Sequence, residues 1–388
     1  MSFHGVDYFG IADLLTEEER LVQASIRRFV DEELLPVIGR HFRDGTFDPS
    51  WPRRLGALGA LGASLSGYGC AGLGPVAYGL IMQELERGDS GVRSFASVQG
   101  ALVMYPIHSY GSDEQKDRWL PAMARGEAIG CFGLTEPDFG SNPAGMRLSA
   151  RAHGDEFVLN GEKRWITSGG LADVAVVWAK TDDGTVRGFL VPRGTPGFTT
   201  RDIHGKFSLR ASVTSELIFQ DCVVPRSALL PGVSGLRGPL SCLNQARFGI
   251  SFGVIGAAMA CYDEALGYTK ERAQFSRPLA GHQLVQLKLV DMLEEITKAQ
   301  LLALQLGRLK EAGKVRPQQV SLAKRNNVRM ALQCARTARD LLGANGITDE
   351  YQSGRHMCNL ESVFTYEGTD HIHTLIVGQD ITGQPAFD

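Results

Sequence analysis

The chain reads as an α+β protein of three segments: an N-terminal helical domain over residues 1–127, a central β-sandwich or barrel over 128–238, and a C-terminal long-helix bundle over 239–388. Three observations predict this order. Apolar residues recur at helical spacing through the first third. Short β-rich runs separated by turn residues follow. Helical periodicity then returns in long uninterrupted stretches.

Thr16 and Glu19 form a capping box ahead of Leu21, Val22, Ile26, Phe29, Val30 and Leu34, so a helix begins there. Pro36 ends or kinks it. A second helix is expected near Ser50, and helices resume at Pro75, a favourable first helical residue, running through Met82, Leu85 and Glu86. Another covers Val92 to Tyr110, and Ser112 opens one that ends near Gly126. Between them, Gly67-Tyr68-Gly69-Cys70-Ala71-Gly72 matches the dinucleotide fingerprint on paper. No β-branched strand precedes it and no alternating strand–helix pattern follows, so a plain glycine-rich loop is the better reading.

In the β segment, Phe157-Val158-Leu159-Asn160-Gly161 reads as a strand entering a turn, and Val174 to Ala179 as a buried strand. Asp183-Gly184 marks a turn before Gly188 to Pro192, and Phe198–Thr200 and Glu216–Phe219 continue the series. The long helices are predicted over Leu240 to Phe275, Gln283 to Ala312 and Pro317 to Leu342. In the second, Leu284, Leu287, Val290, Leu293, Ile296, Leu301, Leu304 and Leu309 cover more than one face, as expected within a bundle or at a subunit interface.

Of the 388 residues, 43% are hydrophobic and 21% charged, and the net charge is −3. No basic excess points to nucleic acid or to an anionic membrane surface. The seven cysteines are widely spaced with no Cys-x-x-Cys pair, which suits reduced thiols and argues against a disulfide framework or a bound metal. The first residues lack the character of a signal or transit peptide, and no apolar run approaches the roughly 20 residues that span a bilayer, so a cytoplasmic protein is expected.

The stretch Thr365-Tyr366-Glu367-Gly368-Thr369-Asp370-His371-Ile372-His373 sets a carboxylate between an aromatic ring and a glycine. In a partly dry pocket such a glutamate serves as a general base. Taken alone, it reads equally as a glutamate near a helix N-terminus.

Three motifs occur in order: Cys131-Phe132-Gly133-Leu134-Thr135-Glu136-Pro137-Asp138-Phe139-Gly140-Ser141, then Lys163-Arg164-Trp165-Ile166-Thr167-Ser168, then the Glu367 stretch. With the helix–strand–helix order, they resemble the acyl-CoA dehydrogenase family over nearly the whole chain. Within it, Val92-Arg93-Ser94, Ser97-Val98-Gln99, Gly205 to Ser212 and Lys324-Arg325-Asn326-Asn327 resemble the glutaryl-CoA branch. The resemblance implies a homotetrameric flavoenzyme that holds FAD between the β segment and the C-terminal bundle. Its substrate is an acyl-CoA, and an electron-transferring flavoprotein takes its electrons. The decarboxylating branch carries glutaryl-CoA on to crotonyl-CoA.

The resemblance also implies roles. Glu367 takes the proton at Cα, and its backbone N–H holds the thioester carbonyl. Phe132, Leu134, Thr135, Trp165, Ile166 and Thr167 meet the flavin ring, and Ser141 reaches the flavin phosphate or the pantetheine chain. Arg272, Gln274, Phe275 and Gln283 meet the rest of FAD, as do Gly343, Asn345 and Gly346 across a subunit contact. Thr369, Asp370 and His371 lie near the cofactor, although the order Asp370-His371 is the reverse of the family's pattern. Leu243, Asn244 and Arg247 lie along CoA, with Tyr366 and Gly368 also facing substrate. Arg93, with Glu86 and Ser94, pairs a distal substrate carboxylate, an alignment that two helical turns through Gly88 would provide. Val92 and Gly100 depart from the residues expected there. Other readings are a different short-chain or dicarboxylic substrate without decarboxylation, and a catalytically silent helical scaffold. Retention of Glu367 argues against the last.

Overall fold

The computed structural model describes residue 3 and residues 5–387. The first segment comprises α1 (Glu17–Phe29), α2 (Leu35–Asp44), α3 (Trp51–Ala57), α4 (Pro75–Gly88), α5 (Ser90–Ser97), α6 (Tyr105–Tyr110) and α7 (Asp113–Ala124). The Thr16 hydroxyl accepts from the Glu19 N–H at 3.3 Å, and the Glu19 carboxylate accepts from the Thr16 N–H at 2.8 Å, completing the box at α1. Pro36 does not stop the chain. It sits in the first turn of α2 behind a widened turn at Val30–Leu34, where its missing N–H costs nothing. A second widened turn, Val98–Met104, joins α5 to α6. The run Gly67–Gly72 is a largely exposed loop between α3 and α4.

Seven strands make one curled sheet: β1 (Gly130–Gly133), β2 (Ser149–His153), β3 (Glu156–Thr167), β4 (Val174–Thr181), β5 (Val186–Pro192), β6 (Phe198–Asp202) and β7 (Thr214–Pro225). β4 is its hub. β5 runs antiparallel on one side, while β1 and β2 lie end to end along the other, both parallel to β4. The unbroken apolar run in β4 follows from burial on both faces. Ala175 and Val177 join the sheet's own core, and Val174, Val176 and Trp178 pack into the helical core. The chain leaves the sheet at Gly133 and re-enters at Ser149, so the loop carrying Leu134 to Ser141 occupies a break in the strand edge.

The last segment comprises α8 (Arg237–Glu271), a hairpin of β8 (Ala273–Gln274) and β9 (Arg277–Pro278), then α9 (Gln283–Glu311), α10 (Pro317–Leu341), α11 (Gln352–Thr365) and α12 (Asp370–Thr382). α9 and α10 begin and end close to where their proline and glycine stops place them, whereas α8 stops at Glu271, short of Phe275, because the chain pairs with itself in the hairpin. α8 is the axis, packing against both α4 and α10. Among the described residues no helix is long and apolar enough to cross a membrane. None of the cysteines is disulfide-bonded.

Backbone contact between α8 and α4 depends on Gly256, where an added Cβ would stand 1.8 Å from the Gln83 carbonyl oxygen. On the same helix, a Cβ at Gly267 meets nothing within 4 Å. Gly256→Ala is therefore expected to lower stability by about 1–3 kcal/mol through overpacking. Gly267→Ala should raise it by about 0.5–1 kcal/mol through helix propensity. Denaturant midpoints of the two variants check both signs, and equal midpoints would contradict this packing.

Candidate active site

α4 and α5 do not form the continuous helix that would bring Glu86 and Arg93 together by periodicity. α4 ends at Gly88, Asp89 is extended (φ −165°, ψ 138°), and α5 starts at Ser90. The break is itself held. The Asp89 carboxylate accepts from Gly91 N–H at 2.7 Å, Arg355 Nη1 at 2.7 Å and Asn359 Nδ2 at 2.9 Å. Across this corner Arg93 Nε donates to Glu86 Oε2 at 2.6 Å and Nη2 to Glu86 Oε1 at 3.3 Å. Nη2 also donates to the Tyr366 hydroxyl. Both members of the pair are completely buried, and Gly253 of α8 makes room for them, since a Cβ there would lie 2.2 Å from Glu86 Oε2. A guanidinium has five N–H donors, and the two on Arg93 Nη1 are buried with no partner among the described residues. Burial works against the Arg93 charge, but Glu86, with Tyr366 and Glu367, together more than offset it and raise the pKa. Ser94 is buried beside Arg93. Val92 is also fully buried, and a Cβ on Gly100 would lie 3.2 Å from the Gly62 nitrogen, so a loop backbone fills the space a serine would need.

Tyr366, Glu367 and Gly368 link α11 to α12, with Glu367 (φ 51°) and Gly368 (φ 94°) both left-handed. Thr369 caps α12, accepting from the Ile372 N–H at 3.2 Å. Arg247 Nε of α8 donates to the Glu367 carbonyl at 2.7 Å. Glu367 Oε2 is enclosed with no hydrogen-bond partner, and among the described residues the Glu367 N–H finds no backbone acceptor. Burial raises the Glu367 pKa above the usual carboxylate range. Arg93, Lys324 and Arg247 draw it back without cancelling the rise, and Glu86 adds to it. The geometry thus leaves one carboxylate oxygen of raised basicity and one backbone donor free at a strained turn.

On the sheet side, Arg164 N–H donates to the Thr135 carbonyl at 2.8 Å, which joins the Thr135 loop to the Trp165–Thr167 end of β3. The β3–β7 register slips between Lys163 and Ile166, and Trp165 lies in that bulge with φ 62° and a half-exposed ring. Bulges of this kind re-aim side chains. Phe132, Leu134 and Ile166 are buried, Thr135 and Thr167 are half-buried, and Ser141 is exposed. The loop is closed by Glu136, whose carboxylate accepts from Arg147 N–H at 2.6 Å, Leu148 N–H at 2.9 Å and the fully buried Lys163 Nζ at 2.9 Å. Thr167 pairs with Thr214, and the loop before Thr214 reaches α11, where Leu209 N–H donates to Asn359 Oδ1 at 2.8 Å. The Thr167 end of β3 is thereby tied, through residues 209–214, to the helix that leads into the Glu367 turn. The half-buried hydroxyls and bulged indole on the sheet side are groups that would suit a flavin ring.

Leu243 and Asn244 are half-buried on the first turns of α8, and Arg247 is buried below them. Arg272, Gln274 and Phe275 stand on the exposed hairpin, with Phe275 90% exposed, and Gln283 starts α9 beside it. Gly343 and Asn345 are exposed in a 3-10 turn after α10, where Gly346 is buried. The hairpin residues, Gln283, Gly343 and Asn345 lie on an open surface of the single chain, apart from the enclosed part of the site. The Asp370 carboxylate is occupied, since Arg329 donates to it through Nε at 2.6 Å and Nη2 at 2.5 Å, and His371 is exposed. The reversed order therefore gives α12 an ion pair to α10.

Three contributors had no assigned role in the sequence reading: Lys324, Asp89 and the Lys163–Glu136 pair. Lys163, Glu136 and Lys324 fall within recognised motifs, but only burial distinguishes them from surface charges. Asp89 carries the N-cap signature, an acid two residues before the N–H it caps.

Family models describing the N-terminal, middle and C-terminal domains of acyl-CoA dehydrogenases match residues 16–127, 131–222 and 234–382. The human mitochondrial short-chain specific acyl-CoA dehydrogenase is 34% identical over 370 residues, covering 94% of this chain and 90% of its own. A glutaryl-CoA dehydrogenase from Mycobacterium smegmatis, solved in complex with FADH2, superposes with a TM-score of 0.98 at 55% identity, covering 99% of both chains. A glutaryl-coenzyme A dehydrogenase solved with glutaryl-CoA superposes with a TM-score of 0.90 at 31% identity, covering 95% of this chain and 96% of that one. The chain belongs to the acyl-CoA dehydrogenase family and is an FAD-dependent oxidoreductase acting on acyl-CoA thioesters.

Proposed function

We propose that the chain oxidises glutaryl-CoA and decarboxylates the product to crotonyl-CoA. The observation that carries this reading is Arg93 Nη1: two N–H donors on a fully buried guanidinium, without a partner among the described residues, on a side chain close enough to Glu367 to act on its charge. A short saturated acyl chain would leave that donor pair dry and unmatched, at the cost of a buried unsatisfied polar group. A distal carboxylate accepts from both N–H groups. Similarity to glutaryl-CoA dehydrogenases at 55% identity supports the same choice.

Bound FAD supplies the two-electron acceptor for the hydride that leaves Cβ. The protein groups do the rest. Arg93, fixed by Glu86 and Tyr366, orients the distal carboxylate and so sets which carbons lie over Glu367. The Glu367 N–H hydrogen-bonds the thioester carbonyl and acidifies Cα, and the carboxylate takes the Cα proton. Loss of CO2 from the glutaconyl thioester leaves an electron pair that needs a proton at Cγ. Glu367, now protonated, is the nearest acid. We assign Thr135, Thr167 and Trp165 to the flavin ring. Arg272, Gln274, Phe275 and the Gly343–Gly346 turn we assign to FAD bound across a subunit contact. An exposed apolar series at Phe275, Leu284, Leu287 and Val290 supports assembly there, which we read as a homotetramer. An electron-transferring flavoprotein is the proposed acceptor, and the reduced cysteines suit the cytoplasm.

Anaerobic mixing tests the substrate. Glutaryl-CoA is expected to bleach the flavin faster than butyryl-CoA and to release CO2; faster bleaching by butyryl-CoA, or none by either, overturns the reading. The paired change Glu86→Gln with Arg93→Gln avoids stranding one buried charge. It should raise the glutaryl-CoA KM by about a hundredfold, or about 2.7 kcal/mol, with a smaller effect on butyryl-CoA. Equal effects on the two substrates would remove Arg93 from its role.

Glu367→Gln should retain FAD and lose about 10²–10⁴-fold in kcat. In the unsubstituted enzyme the base must be ionised, and its pKa lies above the ordinary carboxylate value. The kcat profile should therefore fall on acidification at a pH higher than an exposed glutamate would give. A profile flat down to the usual carboxylate range would contradict the assignment.

A further inference from the structure

Lys324 of α10 is only 1% exposed, yet no carboxylate lies within ion-pair distance of it among the described residues. Its Nζ donates instead to three backbone carbonyls, Val363 at 2.9 Å, Tyr366 at 3.0 Å and Gly368 at 2.8 Å. An ammonium group has three N–H donors, and all three are used. The carbonyl between the last two, that of Glu367, belongs to Arg247. Three successive carbonyls at the turn are thus each held by a buried cation, and the two cations come from different helices.

The turn needs such restraint. Two consecutive left-handed residues, the first a glutamate, put backbone strain at the non-glycine position. With the carbonyls drawn toward α8 and α10, the Glu367 N–H and side chain are left to the opposite side. We propose that Lys324 is the positioning residue of the base. Its three hydrogen bonds hold residues 366–368 in the turn that aims the Glu367 carboxylate at substrate, and its positive charge favours the ionised form of that carboxylate. This rests on Glu367 being the base.

The charge effect has a definite sign. Facing Glu367 are Arg93 from α5, Glu86 and Tyr78 from α4, Arg247 from α8 and Tyr366 from its own segment. Asp370 and His373 of α12 lie on the far side, toward Lys324. Burial drives the Lys324 pKa down to about 7, with the Glu367 charge opposing. Three carbonyl acceptors also favour the ammonium, because a neutral amine would turn its lone pair toward one of them. Removing the Lys324 charge takes away one of the three cations that lower the Glu367 pKa, so that pKa rises further and the acid limb of kcat moves to higher pH.

The test uses the holoenzyme with two replacements. Lys324→Met removes charge and donors, whereas Lys324→Gln removes the charge and keeps two donors. Both are expected to retain FAD. In the Met variant kcat with glutaryl-CoA should fall by roughly 30-fold or more and in the Gln variant by about 10-fold, with KM changed less than about threefold. In both, the acid limb should shift upward by about half a pH unit or more. Where the Met variant yields no holoenzyme, the Gln variant gives the same reading. A kcat within about twofold of the parent, or a lower kcat with an unmoved acid limb, overturns the proposal. Glu367→Gln measured alongside separates the two claims. Turnover retained there defeats the base assignment itself, whereas an inactive Glu367→Gln with parent-like Lys324 variants defeats only the role of Lys324.

Discussion

The proposed chemistry depends on keeping the Glu367 carboxylate basic although burial leaves its Oε2 cut off from water. An isolated buried carboxylate would take up a proton and be useless as a base, and one in direct contact with a cation would be too weak. Glu367 lies between these limits. Arg93, Arg247 and Lys324 surround it, but each spends its closest hydrogen bonds elsewhere: on Glu86 and Tyr366, on the Glu367 carbonyl, and on three neighbouring carbonyls. The carboxylate feels their field while its Oε2 remains without a partner.

Helix packing makes this arrangement possible. Each charged group arrives from a different helix, so α4, α5, α8, α10 and the α11–α12 turn must meet within a few ångströms. Backbone contact at Gly256 and the opening at Gly253 let α8 lie against α4, with the Glu86–Arg93 pair in the seam. The corner at Asp89 turns Arg93 back toward Glu86, and the same carboxylate takes Arg355 and Asn359 of α11. Asn359 also accepts from the Leu209 N–H, so the loop from the sheet segment is tied to the helix that leads to Glu367. The Arg93 corner, the Glu367 turn and the sheet segment thus share one hydrogen-bonded framework.

Much of this was legible in the residues. A capping box placed α1, and proline and glycine stops placed α9 and α10, because local backbone chemistry decides those boundaries. The all-apolar run in β4 predicted a strand covered on both faces, as Ala175 and Trp178 on opposite cores demonstrate. The motifs led to Thr135, Trp165 and Glu367 through resemblance, since their spacing alone does not bring them together. What stayed hidden were features made by tertiary contact. Helical periodicity suggested that Glu86 and Arg93 align along one helix, but they meet around a break. Lys163 and Lys324 stood in the motifs without an assigned role, because only burial sets them apart from surface charges. Asp370 departed from the expected pattern for a reason visible only in space: Arg329 lies opposite it.

The central claim is that Arg93 receives a substrate carboxylate while Glu367 faces Cα. A crystal structure of the Glu367→Gln holoenzyme with glutaryl-CoA tests it most directly. The account predicts a distal carboxylate oxygen within hydrogen-bond distance of Arg93 Nη1, with the thioester oxygen on the backbone N–H of residue 367. A distal carboxylate in solvent or on another cation, with Arg93 still bound only to Glu86 and Tyr366, would contradict it.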